Sequence, residues 1–236
     1  MDTAFYTAAR GARTMQEKMN VVSNNIANIN TTAYKTKNSV FRDLMYYNIR
    51  GTENQVTDLK AGTGVKQIST NTDFTPANII PTGMPMDFAI KGEEGFFRLI
   101  DPATGEYTYT RAGNFHMSNR NGTMYLVSDS DKFVVGRDGN PIIVEDIKNV
   151  PIPAVYTFEN TNGMLSIGAS EYAPVPKNGA PELNLNAHVQ KGYLEQGNAD
   201  LAEEMVKTIE ASRAYSFALK MVMTADQVEQ TINSLR

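Results

Sequence analysis

The chain has 236 residues, with 41% hydrophobic and 20% charged, proportions of a globular protein with one large domain or two modest ones. It has no cysteine, which excludes disulfides, thiolate catalysis and sulfur-ligated metals, and His116 and His188, its two histidines, stand at no metal-binding spacing. A net charge of −4 is too mild to call for a nucleic-acid partner. No stretch approaches the ~20 apolar residues that span a bilayer, so no integral membrane segment is expected.

Residues 1–45 are predicted to form an N-terminal helical assembly segment. The first six, Met1-Asp2-Thr3-Ala4-Phe5-Tyr6, lack a basic n-region and an apolar h-region, which predicts either a cytoplasmic chain or one exported uncut. Phe5, Ala8, Ala12, Met15, Met19, Val22, Ile26 and Ile29 then recur at alternating steps of three and four, the spacing of a coiled-coil seam. Gly11 lowers helicity by roughly 1 kcal/mol without breaking the stripe. Asn24, Asn25, Asn28 and Asn30 crowd its end. Either the helix frays there towards its cap, or the asparagines form a hydrogen-bonding row in which Asn25 fixes register between neighbouring helices.

Residues 46–85 read as an extended connector and residues 86–190 as a β domain. Runs rich in aromatic and β-branched residues cover 87–91, 95–100, 107–111, 124–128, 132–135, 142–145, 154–158 and 164–167. Asn121-Gly122, Asp138-Gly139 and Asn162-Gly163 are tight-turn signals, and Pro141, Pro151 and Pro153 mark strand edges or starts. The expectation is an antiparallel sandwich or barrel of about eight to ten strands.

Residues 191–236 are predicted to form a C-terminal helical assembly segment. Ala211, Ala214, Ala218, Met221, Ala225, Val228, Ile232 and Leu235 repeat the three-four alternation. Leu201, Met205, Val206 and Ile209 extend the apolar surface upstream, and Tyr215, Leu219 and Val222 form a second row beside it. A helix apolar on two flanks requires two neighbours. Residues 1–50 carry seven Lys/Arg against three Asp/Glu, and residues 191–236 carry five against seven, so the ends differ in sign. Two readings follow: a helical hairpin within one molecule, or a coiled coil used in assembly. The fold class expected is α+β: N- and C-terminal helices forming a coiled-coil layer, with a central antiparallel β sandwich or barrel domain.

The chemistry-bearing residues give no enzymatic constellation. Adjacent carboxylates at Glu93-Glu94 and Glu145-Asp146 point to opposite faces of a strand. Asp129, Asp131 and Asp138 lack the spacing of a calcium loop, and His116 has no paired acid or nucleophile nearby. No Gly-rich phosphate loop is present. Arg10, Arg13, Lys18, Lys35, Lys37, Arg42 and Arg50 are spread out, with only Lys35, Lys37 and Arg42 clustered, a poor match to a nucleic-acid surface. No cofactor and no metal is expected. A rival reading makes the chain an extracytoplasmic glycan- or peptidoglycan-binding module, with Tyr107, Tyr109 and Phe115 as a stacking platform.

Four ordered blocks carry a family resemblance. Residues 19–35 (MNVVSNNIANINTTAYK) resemble the N-terminal signature of the flagellar basal-body rod proteins, with Ala33-Tyr34 standing where that family has Gly-Phe. Residues 82–90 (TGMPMDFAI), with Gly92 and Gly95-Phe96-Phe97, and residues 109–115 (YTRAGNF) are similar to blocks of its β domain. Gly192-Tyr193-Leu194-Glu195, Asn198, Asp200-Leu201 and Glu204-Met205-Val206 resemble its C-terminal signature, continued by Arg213-Ala214-Tyr215 and Thr224-Ala225-Asp226. Residues 41–47 (FRDLMYY) and Gly62-Thr63-Gly64-Val65 look closer to the distal-rod than to the proximal-rod type.

The resemblance implies a non-enzymatic structural subunit that polymerises into a helical axial tube and transmits torque from motor to hook. It implies terminal helices in an inner layer, β domains outside, and ends that order on assembly. The partners implied are the chain itself, other rod and hook subunits, and the flagellar type III export apparatus, through which subunits leave without signal cleavage. The implied location is the extracytoplasmic flagellum basal body.

Overall fold

The computed structural model describes residues 3–48, 60–92 and 95–235, so Arg50 and the Glu93-Glu94 doublet lie outside the described residues. The class is α+β, with a helix near each end of the chain and antiparallel sheets between them. Two compact units divide it: Met1–Ala27, Lys37–Asn71 and Asp200–Arg236 form one, and Asn28–Thr36 with Thr72–Ala199 form the other.

The first unit is built on α1 (Thr3–Ala27) and α2 (Leu201–Ser234), which pack along each other. α1 ends where the asparagines begin to turn: Thr31 N–H donates to the Asn28 carbonyl, so Ile29 lies beyond the helix. α2 begins sharply because Asp200 is extended and its carboxylate accepts the Ala202 N–H at 2.8 Å, with Glu203 and Glu204 suiting the positive helix start. Asp200→Ala is expected to cost about 1 kcal/mol, read as an earlier loss of helical signal in urea. Strands β1 (Lys37–Asp43), β2 (Tyr46–Asn48), β3 (Lys60–Gly62) and β4 (Val65–Thr72) complete this unit, β1 pairing with β4 and β2 with β3.

The second unit holds β5 (Ile79–Pro81), β6 (Phe88–Ile90), β7 (Phe96–Ile100), β8 (Tyr107–Thr110), β9 (His116–Arg120), β10 (Thr123–Val127) and β11 (Phe133–Val134). It continues with β12 (Val155–Thr157), β13 (Leu165–Gly168), β14 (Glu171–Ala173), β15 (Glu182–Leu183), β16 (Val189–Lys191) and β17 (Tyr193–Glu195). The main sheet runs β13-β14-β8-β7-β11-β10-β9, with β12 on β7 and β15 on β12. Its two ends do not pair, so no closed barrel forms among the described residues, and the barrel alternative of the sequence reading is set aside. β16 pairs with β6 and β17 with β5.

Two apolar clusters flank β7 and β12. Phe97, Leu99 and Val155 enter one with Phe88, Leu126 and Val134, while Phe96, Ala154 and Tyr156 enter the other with Phe74, Tyr109 and Tyr172. Successive strand residues point to opposite faces, so a strand covered on both sides reads as a continuous apolar run. The Asn121-Gly122 turn joins β9 to β10 with Thr123 opposite Arg120, as a two-residue hairpin requires. The 142–145 run forms no strand, although Ile142 is tied to the sheet by bonds to Leu126 and Val134.

Candidate assembly surface

Within the first unit, a buried polar cluster fixes the start of the helical pair. The Asn25 Nδ2 donates to Glu204 Oε2 at 3.0 Å and to the Lys37 carbonyl at 3.0 Å, while its Oδ1 accepts the Lys37 N–H at 3.0 Å. Asn25 and Glu204 are both 1% exposed. Lys207 donates to the other Glu204 oxygen at 2.8 Å and to Glu203 at 2.9 Å. Partial burial alone would lower the Lys207 amine, but its hydrogen bonds to Glu203 and Glu204 outweigh that and hold it above the usual lysine range. The contact joins the end of α1 to the beginning of α2, so the two helices run antiparallel. Asn25, proposed from sequence to set register between neighbouring helices, makes these bonds within one chain.

Burial along the helices follows the stripes in part. On α1, Ala12 and Val22 are buried, Ala8, Met15, Met19 and Ile26 half-buried, and Phe5 exposed; Ile29, past the helix, is half-buried in the second unit. On α2, Ala211 is buried and Ala214, Tyr215, Ala218, Val222 and Ala225 are half-buried. Leu201, Met205, Val206, Ile209, Met221, Val228, Ile232 and Leu235 are exposed, each 47% or more, so within the first unit α2 keeps a long apolar surface that the described residues do not cover. Burial passes from Ala218 to Val222, not Met221, because a straight helix of 3.6 residues per turn drifts off a strict seven-residue repeat.

Within the second unit, three of the resemblance blocks meet in one buried ion cluster. Glu195 on β17 is 1% exposed. Its Oε1 accepts from Lys35 Nζ at 2.7 Å and from the Ala77 N–H at 2.9 Å, and its Oε2 accepts from Arg111 Nε at 2.8 Å. The surplus positive charge is met by carbonyls: Lys35 Nζ donates to Thr75 O at 2.6 Å and Arg111 Nη1 to Gly95 O at 2.9 Å. Burial pushes the Lys35 amine below the usual lysine range against the pull of Glu195. Around it, Ala33 N–H donates to the Glu195 carbonyl at 2.9 Å, and Asn198 ties together Tyr34, Thr36 and Asp73 by bonds of 2.7 to 3.1 Å. Ala33 sits at φ 51°, a left-handed conformation that favours glycine.

Sequence reasoning missed these ionic roles. Lys35 stood in a basic cluster weighed for nucleic acid, but it is fully buried and cannot reach a phosphate. Periodicity does not reveal a buried charge; the one available signal was that Lys35, Arg111 and Glu195 each lie inside a recognisable block.

The stacking platform of the rival reading does not form. Tyr109 and Phe115 are 2% and 5% exposed and belong to the two cores, which leaves only Tyr107, 42% exposed and stacked with the Arg98 guanidinium 3.5 Å from its ring centroid. Glu145 and Asp146 are exposed, and His116 lies 4.0 Å from Asp129 on the surface. Among the described residues, no three His, Cys, Asp or Glu side chains gather as a metal site, and no helix is long and apolar enough to cross a membrane.

Within the first unit, α2 thus carries an exposed apolar flank beside its contact with α1. Two family models match: one described as "Flagella basal body rod protein" over residues 5–35, and one described as "Flagellar basal body rod FlgEFG protein C-terminal" over residues 190–235. The flagellar basal-body rod protein FlgG of Buchnera aphidicola subsp. Acyrthosiphon pisum is 32% identical, with 100% of both chains covered. FlgG of Bacillus subtilis is 29% identical over 99% of this chain and 98% of its own, and FlgF of Caulobacter vibrioides 28% identical over 94% and 93%. The chain belongs to the flagellar basal-body rod protein family, a structural family and not one of enzymes.

Proposed function

We propose that this chain is a rod subunit of the distal type, polymerising through its terminal helices into the axial tube that carries torque from motor to hook. The observation that carries the reading is the apolar surface of α2 left open after α1 has packed on it. In the assembled rod, that surface becomes the contact between α1–α2 pairs of successive subunits, forming a coiled-coil layer through the seam residues on both helices. The sheet of the second unit separates two apolar clusters in the manner of a sandwich. The full-length similarity to FlgG proteins favours the distal type. Export through the flagellar type III apparatus and residence in the extracytoplasmic basal body follow from the same reading.

Deleting the chain in its host is expected to leave basal bodies without a completed rod and hook, and the chain is expected in basal bodies purified from the parent strain. Its absence from them would refute the reading. A finer test is Ala218→Asp, which places a charge on the half-buried stripe of α2. It is expected to weaken the helical pair by roughly 1–3 kcal/mol and to lower incorporation, with the thermal transition of the β unit retained. Normal rods in this variant would count against the seam.

A further inference from the structure

A second surface of the helical unit lies on the other flank of α1. A groove of about 540 Å³ is floored by Leu44, Met45 and Val65 and rimmed by Arg10, Arg13 and Lys66. Met45 is 84% exposed there. Arg10 Nη1 donates to the Thr63 carbonyl at 3.0 Å and so ties the groove to the helix, while Thr14 Oγ1 shares its proton between the Arg10 carbonyl at 2.8 Å and the Val65 carbonyl at 3.2 Å. The single acid on its rim, Glu17, sits 3.4 Å from Arg13 Nε, so the rim keeps a surplus of positive charge.

The chain's own α2 cannot fill this groove. At about 100° per residue, Arg10, Arg13 and Glu17 lie across the helix from the stripe Ala8, Ala12, Met15 and Met19, along which α2 packs. The end of α2 meanwhile has nothing to pack on. Counting equal rise from the Asn25–Glu204 pair, 22 residues lead back to Thr3 and 22 lead on to Asp226, so α2 runs past the described start of α1. Burial confirms the overhang: Ala225 is the last half-buried position and every described residue from Asp226 onward is exposed. This tail, Asp226–Leu235, carries two acids, Asp226 and Glu229, one helical turn apart, and three apolar residues, Val228, Ile232 and Leu235; the one base near it, Arg236, follows at its very end. Its free carbonyl end adds negative potential.

We propose that the α2 tail of one copy docks into the basic groove of a second copy, its apolar residues on Leu44, Met45 and Val65 and its acids against Arg13 and Lys66. The contact is head to tail: tail and groove are different surfaces, so each added copy presents both again and the series does not close on itself. The proposal rests on the rod-subunit reading and names one specific interface within it.

The test is a charge exchange in the full chain, in the host, read as the amount of chain incorporated into isolated basal bodies. Arg13→Glu with Lys66→Glu reverses the groove while sparing the Arg10 bond to Thr63; Asp226→Lys with Glu229→Lys reverses the tail. Each pair is expected to lower incorporation by about tenfold or more, as close interfacial charge pairs do. The four changes together are expected to restore it to within about twofold of the parent, which a merely misfolded variant would not do. Unchanged incorporation in either reversed variant overturns the proposal, as does loss in both without rescue in the combination. Melting curves of the purified variants show that the fold is kept. Failure of the underlying reading is distinct, since the parent chain would then be missing from basal bodies altogether.

Discussion

Glu195→Ala is expected to destabilise the second unit by about 3–5 kcal/mol, enough to shift its urea midpoint far below that of the parent. The carboxylate bridges Lys35 and Arg111, both fully shielded from water. Removing it leaves two like charges facing one another without the group that separates them, and it frees the Ala77 N–H as well. Glu195→Gln keeps the volume and an acceptor but loses the charge, so its cost should fall between those of the parent and the alanine variant. The replacement of all three residues by apolar ones of similar volume is expected to recover much of the loss, because a buried ion cluster costs desolvation that apolar packing avoids. A loss below about 1 kcal/mol for Glu195→Ala would mean that water reaches the cluster and that it does not brace the unit.

Gly113→Ala is the second large effect, and its cause is steric. A β-carbon at Gly113 would lie 1.7 Å from the Phe88 carbonyl oxygen and 2.7 Å from its carbonyl carbon. Both are backbone atoms at the start of β6, where the Phe88 N–H donates to the Gly113 carbonyl at 3.0 Å. No rotamer change relieves such a clash, so β6 must shift and Phe88 must leave the core it fills with Phe97 and Phe115. The expected cost is at least about 3 kcal/mol, seen as a lower melting temperature or as a failure to accumulate folded protein. A variant melting within a degree or two of the parent would show that the close approach relaxes freely.

The helices and much of the β organisation were legible because they repeat. The three-four stripes of α1 and α2 announce helices from the chain alone, and the aromatic runs of β7, β8, β10 and β12 announce strands. β1, inside the segment 1–45 read as helical, and β4, inside the stretch 46–85 read as connector, are largely polar and carry no period-two pattern, so nothing in their composition announces a strand. β9, His116–Arg120, escaped for the same reason, its place fixed by pairing with β10 and not by its own residues. The site was less legible still. Asn25 stood out as an odd residue in a helix, but its partner Glu204 lies 179 residues away, and no local pattern links the two. Surface exposure on α2 was equally hidden, because a stripe in sequence does not say which of its flanks the chain itself will cover.

The Glu195 cluster also sets an order of events in time. Lys35 and Glu195 are 160 residues apart and Arg111 and Glu195 are 84 apart, so the contacts that close the second unit are among the longest loops the chain can make. Loops of that length form late and slowly. A nascent chain emerging from its N-terminus has both cations before it has the carboxylate, and it cannot complete this unit until β17 arrives. The local hairpins β7–β8 and β9–β10 can pair before then, but the ion cluster that ties residues 35, 111 and 195 closes only once β17, the last strand of the unit, has been made.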